Sequence, residues 1–363
     1  MSKLFSELKI NNVVFRNRIG MSPMCQYVSV DGVATDWHLV HLGARAVGGA
    51  GLVMAECTAV SPTGRISNGC AGMWNEAQAE KAAQIVSFVK SYGAVAGIQI
   101  SHSGRKGSAA TALEGGNHIA DEDGGWTPVG PTGDRFDPTE QRLWREPHAL
   151  TVPEIHAIQD EFVAAAQRAC SAGYDLLEVH CAHGYLLHSF LTPLVNTRSD
   201  AYGGSPEGRA RFLLETVEKV RAVWPAERVL SVRLSVDDFA PNGLTVEDTG
   251  QIGGWLRERG VDILDCSAGG AVPEARGAIN GRTPEQPDMA GDVRRSTQLP
   301  TMAVGAITDP HQAEQIIAGG KADIVLLGRE MMRSPHWPFA AAKTLGIDAR
   351  HVLAEQYGAF VGG

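Results

Sequence analysis

A chain of 363 residues, 44% of them hydrophobic and 20% charged, with 42 glycines, has the balance of a loop-rich globular protein that can bury a large core. Its formal net charge of -9 leaves no basic footprint, so nucleic acid and anionic membrane surfaces are poor partners. The six cysteines Cys25, Cys57, Cys70, Cys170, Cys181 and Cys266 contain no Cys-x-x-Cys pair, which argues against a zinc ribbon, a redox dithiol motif or an iron–sulfur cluster. The first residues carry no basic segment followed by an apolar run, and no stretch approaches the ~20 apolar residues of a membrane helix, so a cytoplasmic location is expected.

In chain order, residues 8–15 alternate around Asn11-Asn12 and predict a primed-turn hairpin able to plug one end of a barrel. Apolar, β-rich runs then recur at 17–21, 51–56, 95–100, 174–179, 229–234, 261–265, 301–304 and 322–327. Between and after them lie helical patterns at 37–47, 77–91, 152–172, 209–224, 246–259, 289–296, 309–318 and 330–345. Near-continuous apolar strands alternating with helices call for a parallel sheet covered on its outer face. Eight such units predict an α/β fold of the (β/α)8 TIM-barrel type, one domain over 1–363. An open doubly wound sheet is disfavoured because the first strand-to-helix turn lacks a Gly-x-Gly-x-x-Gly fingerprint. Two connections, about 101–150 and 267–288, are too long for turns and follow strands, so they are expected as lids over the C-terminal face, where barrels assemble their sites.

The densest chemistry follows the fourth strand, where His180, His183 and Tyr185 share one short segment. Two imidazoles can grip a carbonyl or nitro oxygen and a tyrosine hydroxyl can deliver a proton, yet the same His-x-x-His spacing also suits a metal site or ordinary packing. The first strand runs into Pro23, Met24, Cys25 and Tyr27. Cys25 is placed to contact an electron-accepting ring and Tyr27 a substrate oxygen, with a buried thiol and a core-edge aromatic as the bland alternatives. Gln99 ends the third strand with an amide to offer a heterocycle. Arg233 lies inside an otherwise apolar strand, where an arginine needs an anionic partner. Gly305 and Gly328-Arg329 close the last two strands, the usual place of a barrel's phosphate site.

Together these residues resemble the Old Yellow Enzyme family, in its shorter, bacterial xenobiotic-reductase-like branch. The resemblance runs nearly end to end. It includes Arg16-Asn17-Arg18-Ile19, Pro23-Met24-Cys25-Gln26-Tyr27, the segment from Gln99 to Lys106, His180 to Tyr185, and Asn196 to Ser205. It implies an FMN held by Pro23, Met24, Cys25, Cys57, Gln99 and Arg233, with its phosphate on Gly305, Gly328 and Arg329. Where Cys57 stands, the family usually has alanine or glycine. The resemblance further implies a ping-pong ene-reductase. NADPH or NADH reduces the flavin and leaves. Hydride then passes to the β-carbon of an activated alkene (an enone, maleimide or nitroalkene), while His180 and His183 bind the substrate oxygen, Tyr185 protonates the α-carbon and Tyr27 lines the pocket. Arg233 is expected to favour the anionic reduced flavin. A homo-oligomer, dimer or tetramer, is expected. The chain ends in Gln356-Tyr357-Gly358-Ala359-Phe360-Val361-Gly362-Gly363, without the arginine that relatives of this branch send into a neighbouring subunit's site. A metal-dependent hydrolase barrel and a non-catalytic flavin-binding barrel are the rival readings.

Overall fold

The computed structural model describes residues 2–140, 143–273 and 286–361. The hairpin pairs β1 (Leu8–Ile10) with β2 (Val13–Phe15) in antiparallel register, and Asn11 at its turn takes a φ of 52°. The barrel strands are β3 (Ile19–Met21), β4 (Leu52–Ala59), β5 (Val95–Ser101), β8 (Leu176–Cys181), β9 (Val229–Ser235), β10 (Ile263–Ser267), β11 (Thr301–Ala303) and β12 (Ile324–Leu327). They pair in parallel and close as β3-β4-β5-β8-β9-β10-β11-β12 and back to β3, as the predicted barrel requires. The connection from β5 to β8 carries β6 (Val129–Gly130) and β7 (His148–Ala149), a small parallel pair of its own. Most of the second predicted lid, 274–285, lies outside the described residues.

Helices follow the strands: α1 (Asp36–Val47), α2 (Glu76–Ser91), α3 (Val152–Ser171), α4 (Leu186–Leu191), α5 (Pro206–Val223), α6 (Val246–Glu258), α7 (Gln286–Thr297), α8 (Pro310–Ala318), α9 (Arg329–Arg333), α10 (Trp337–Thr344) and α11 (Glu355–Val361). Their starts are written locally. Asn75 accepts from the Gln78 N–H before α2, Ser205 from Gly208 before α5 with Pro206 opening that helix, and Asp309 from Gln312 before α8. Two departures from the sequence reading stand out. The six-residue α4 was not anticipated. The segment expected as one helix over 330–345 is instead α9 and α10, parted at Ser334-Pro335, because proline cannot supply the N–H that a continuous helix needs.

Alternation along the strands sorts the core into two apolar clusters. Val53, Ala55, Ile98, Leu177, Val179, Leu230, Val232, Leu264 and Val325 face outward to the helices. Leu52, Val95, Leu176, Val229, Ile263, Met302 and Ile324 face inward near the strand starts and pack with Ile10, Val13 and Phe15 of the hairpin. The hairpin therefore closes the barrel's N-terminal end. Phe15 is fully buried there, so Phe15→Ala should cost about 3–5 kcal/mol of stability. Urea denaturation measures this, and an unchanged midpoint would show that the plug contributes nothing.

Candidate active site

Above the apolar floor the inward positions turn polar. Beside Met54, the last apolar member of the floor, the next layer holds Glu178, Ser231 and Asp265, and the layer at the mouth holds Cys57, Gln99, His180, Arg233 and Ser267. Strand register sets these residues side by side: Cys57 pairs with Gln99, Gln99 with Glu178, His180 with Arg233, and Arg233 with Asp265. One irregularity is needed to complete the ring. In β4 the register slips between Ala55 and Cys57, so Glu56 is a bulge. Its side chain stays on the outer face, where Oε1 meets Nε2 of His38 on α1 at 3.0 Å and Oε2 accepts the Gln26 N–H at 3.0 Å. The extra residue returns Cys57 to the inner face, toward the mouth.

Arg233 is the cation of this layer. Its Nε stands 3.3 Å from Asp265 Oδ2, and its Nη1 donates to Ser22 Oγ at 3.3 Å. The anionic partner that a buried arginine demands is thus present in the protein itself. The ion pair is not aligned as a hydrogen bond, and Arg233 Nε and both Asp265 oxygens have no hydrogen-bond partner. Glu178 accepts from Gln99 Nε2 at 2.8 Å and shares a 2.8 Å hydrogen bond with Ser231 Oγ. Burial and the neighbouring Asp265 push the Glu178 carboxyl up to about 8, while burial raises Asp265 to about 6 against the pull of Arg233. Near neutral pH these two layers together hold one carboxylate, one neutral acid and one guanidinium.

His180 and His183 stand edge to face with ring centres 5.2 Å apart, and His180 meets Tyr185 in the same way at 5.0 Å. Burial, and then the charge of Arg233, hold both imidazoles well below 6.5, so they are neutral at neutral pH. The Ala182 N–H donates to His180 Nδ1 at 3.1 Å, which leaves the ring proton on Nε2. His183 Nε2 meets Ser267 Oγ at 2.7 Å. Burial raises the Tyr185 phenol well above 10, so it keeps its proton. Tyr27 adopts a φ of 56°, and burial likewise raises its phenol. The Cys25 thiol is raised well above its usual range by its interaction with Cys57 and by burial.

A cavity of about 560 Å³ opens at this end of the barrel, within the size range of cofactor sites. Pro23, Met24, His183, Arg233, Gly305, Gly328 and Arg329 line it, joined by Ser22, Ser267, Gln286 and Arg333. Cys25, Cys57, Gln99, Tyr27, His180 and Tyr185 do not line it themselves, but they connect to it through the register and contacts above. Two observations fit an FMN here. Arg233 Nε, ion-paired with Asp265 but not hydrogen-bonded, and Gln286 Oε1 are buried without hydrogen-bond partners on residues that line the cavity, as a heterocycle bearing both carbonyl and imide groups would use. Gly305, which also lines it, has a φ of 117° that L side chains rarely adopt, and a Cβ there would stand 2.8 Å from Gln286 Cβ, so a side chain is disfavoured at this point. Gly328 precedes α9, and Gly328, Arg329 and Glu330 line the same space.

Sequence reasoning missed Glu178, Asp265, Ser267 and Lys106 as members of the site. For the two acids a signal was present: each is a charge inside an apolar strand, the same feature that singles out Arg233. Among the described residues no group of three or more His, Cys, Asp or Glu side chains is arranged to hold a metal, so His180 and His183 lack a third ligand of those types.

The charge layer makes a pH prediction. Glu178 holds its proton in the folded state up to about 8, whereas unfolded it would lose it near 4.5. Its contribution to stability is therefore greatest below 4.5 and is lost as pH rises toward 8. Urea midpoints of FMN-free protein should fall across that window, and Glu178→Gln should flatten the fall. Parallel profiles for the two proteins would refute the assignment.

A family model described as NADH:flavin oxidoreductase / NADH oxidase matches residues 3–347. An NADPH dehydrogenase of Bacillus cytotoxicus is 42% identical over 351 residues, 96% of this chain and 94% of its own. An NADPH dehydrogenase of Geobacillus thermodenitrificans is 41% identical over 346 residues, 95% of each chain. Among solved structures, morphinone reductase in complex with tetrahydroNAD is similar at a TM-score of 0.77 and 28% identity, over 94% of this chain and 90% of that one.

Proposed function

The chain belongs to the NADH:flavin oxidoreductase / NADH oxidase family, the Old Yellow Enzyme family that its sequence resembles, and from that premise we propose that it is an ene-reductase acting on small activated alkenes. It is an oxidoreductase with FMN as cofactor and a nicotinamide as hydride donor. The observation that carries the finer reading is the pairing of two neutral imidazoles with a protonated phenol, ring to ring, beside a cavity of cofactor size. On this reading residues 1–363 are one catalytic domain, and the lids at about 101–150 and 267–288 shape the pocket above the barrel. A homo-oligomer acting in the cytoplasm completes the proposal.

Bound FMN supplies the hydride, taken from the nicotinamide and given to the β-carbon of the alkene. Pro23, Met24, Cys25, Cys57, Gln99 and Arg233 would hold its ring system, and Gly305, Gly328 and Arg329 its phosphate. The work of the remaining residues follows from their protonation. His180 presents Nε2–H and, being neutral, donates to the substrate oxygen without giving up its proton. With His183 it stabilises the charge that builds on that oxygen during hydride transfer. Tyr185 keeps its proton up to high pH and releases it only to a strongly basic carbon, the α-carbon of the polarised alkene. Tyr27 lines the pocket beside Cys25.

Stopped-flow separation of the half-reactions tests these roles. Tyr185→Phe should slow alkene reduction about 100-fold or more while leaving flavin reduction by NADPH largely intact. Equal losses in both half-reactions would remove the tyrosine from its role. His180→Ala should weaken binding of phenolic ligands about ten-fold, the loss of one hydrogen bond to a charged oxygen, and an unchanged affinity would refute the histidine assignment. In the wild type the binding should show no ionisation near 6.5, because both imidazoles titrate well below it.

A further inference from the structure

Lys106 ends the short 3-10 turn Gly104–Lys106 that follows β5, and its side chain is buried, with the residue 9% exposed. Its Nζ donates to the carbonyl oxygen of His183 at 2.6 Å and to that of Gly270 at 2.7 Å. The ammonium lies 4.0 Å from the ring centre of Phe136 and 5.7 Å from that of Tyr185. Two features make this contact more than packing. His183 and Gly184 are consecutive residues in the left-handed region, with φ of 59° and 73°, and for His183 that conformation is unfavourable unless the surroundings impose it. In addition, the backbone at Gly184 runs so close to Gly270 that a Cβ would sit 2.3 Å from the Gly270 oxygen. Two carbonyls from different segments, that of Gly270 buried and that of His183 partly so, thus share one cation, which supplies hydrogen bonds and offsets the repulsion between their dipoles. The neighbouring Arg105 repeats the pattern, donating through Nη2 to the Ala271 oxygen at 2.8 Å.

We propose that Lys106 is a positioning residue. Its ammonium ties the turn at His183 to Gly270, just past the end of β10, and so sets the direction in which His183 and Tyr185 face the substrate. The effect on substrate rests on the ene-reductase reading, whereas the tie itself does not. The turn has other supports: the His183 N–H donates to Ser235 Oγ at 2.9 Å and the Gly184 N–H to His188 Nδ1 at 2.9 Å. Loss of Lys106 should therefore loosen the turn without unfolding the barrel.

The test uses FMN-loaded Lys106→Met, which keeps the stem and removes the donors. Lys106→Gln, which keeps a neutral donor, serves as the second variant and stands in if the first does not fold. Hydrogen exchange read by mass spectrometry should speed up in peptides covering 183–186 and 268–271, more in the Met variant than in the Gln variant. The dissociation constant of para-nitrophenol, measured per bound FMN, should rise about ten-fold in the Met variant and less in the Gln variant. Unchanged exchange in both segments would overturn the tie, whatever happens to thermal stability. Faster exchange with unchanged phenol affinity would overturn the positioning of the substrate-binding groups. If wild-type protein binds the phenol and His180→Ala does not weaken it, the ene-reductase reading fails while the exchange result still decides the tie.

Discussion

A guanidinium cannot lie inside a closed barrel without a counter-charge, and the way Arg233 is accommodated organises the mouth of this one. Asp265 on the next strand faces it in register, and Glu178, one strand to the other side, keeps its proton because a second buried carboxylate beside Asp265 would cost too much. Burial, reinforced by the charge of Arg233, keeps His180 and His183 neutral. Neutral imidazoles donate to an oxygen without acting as acids, so the proton that the proposed reaction consumes falls to Tyr185. Burial of the three rings beside one guanidinium thereby separates polarisation from protonation.

The gradient along the barrel axis has an equally simple origin. Inward side chains come every second residue, and successive inward positions are apolar at the hairpin end and ionisable or polar at the mouth. Among the described residues, the bulge at Glu56 is the one place where that rhythm is broken along the barrel strands. It moves a carboxylate that would otherwise face inward onto the helix-facing side, where His38 receives it, and it brings Cys57 into the ring of mouth residues.

Much of this was legible in the sequence because it depends on local pattern. The eight strands, the helices between them and the hairpin come from periodicity and turn residues, and His180, His183 and Tyr185 stand out as a cluster at a strand end. Pro335 could have ended the predicted helix, as its missing N–H dictates. What the sequence concealed depends on pairing across the closed barrel. The bulge at Glu56 is a matter of register between β4 and β5, and the short α4 opens on a bond to a distant segment, the Leu186 N–H donating to the His102 carbonyl. The partners of Lys106 are backbone carbonyls that no residue type announces. Asp265 as the counter-charge of Arg233 became visible only once β9 and β10 were side by side.

The most direct measurement is an anaerobic titration of the FMN-loaded protein followed by visible absorption. NADPH should bleach the flavin bands, and subsequent 2-cyclohexenone should restore them while yielding the saturated ketone in equal amount. A flavin that stays oxidised under NADPH, or a bleached one that no enone reoxidises, would contradict the account.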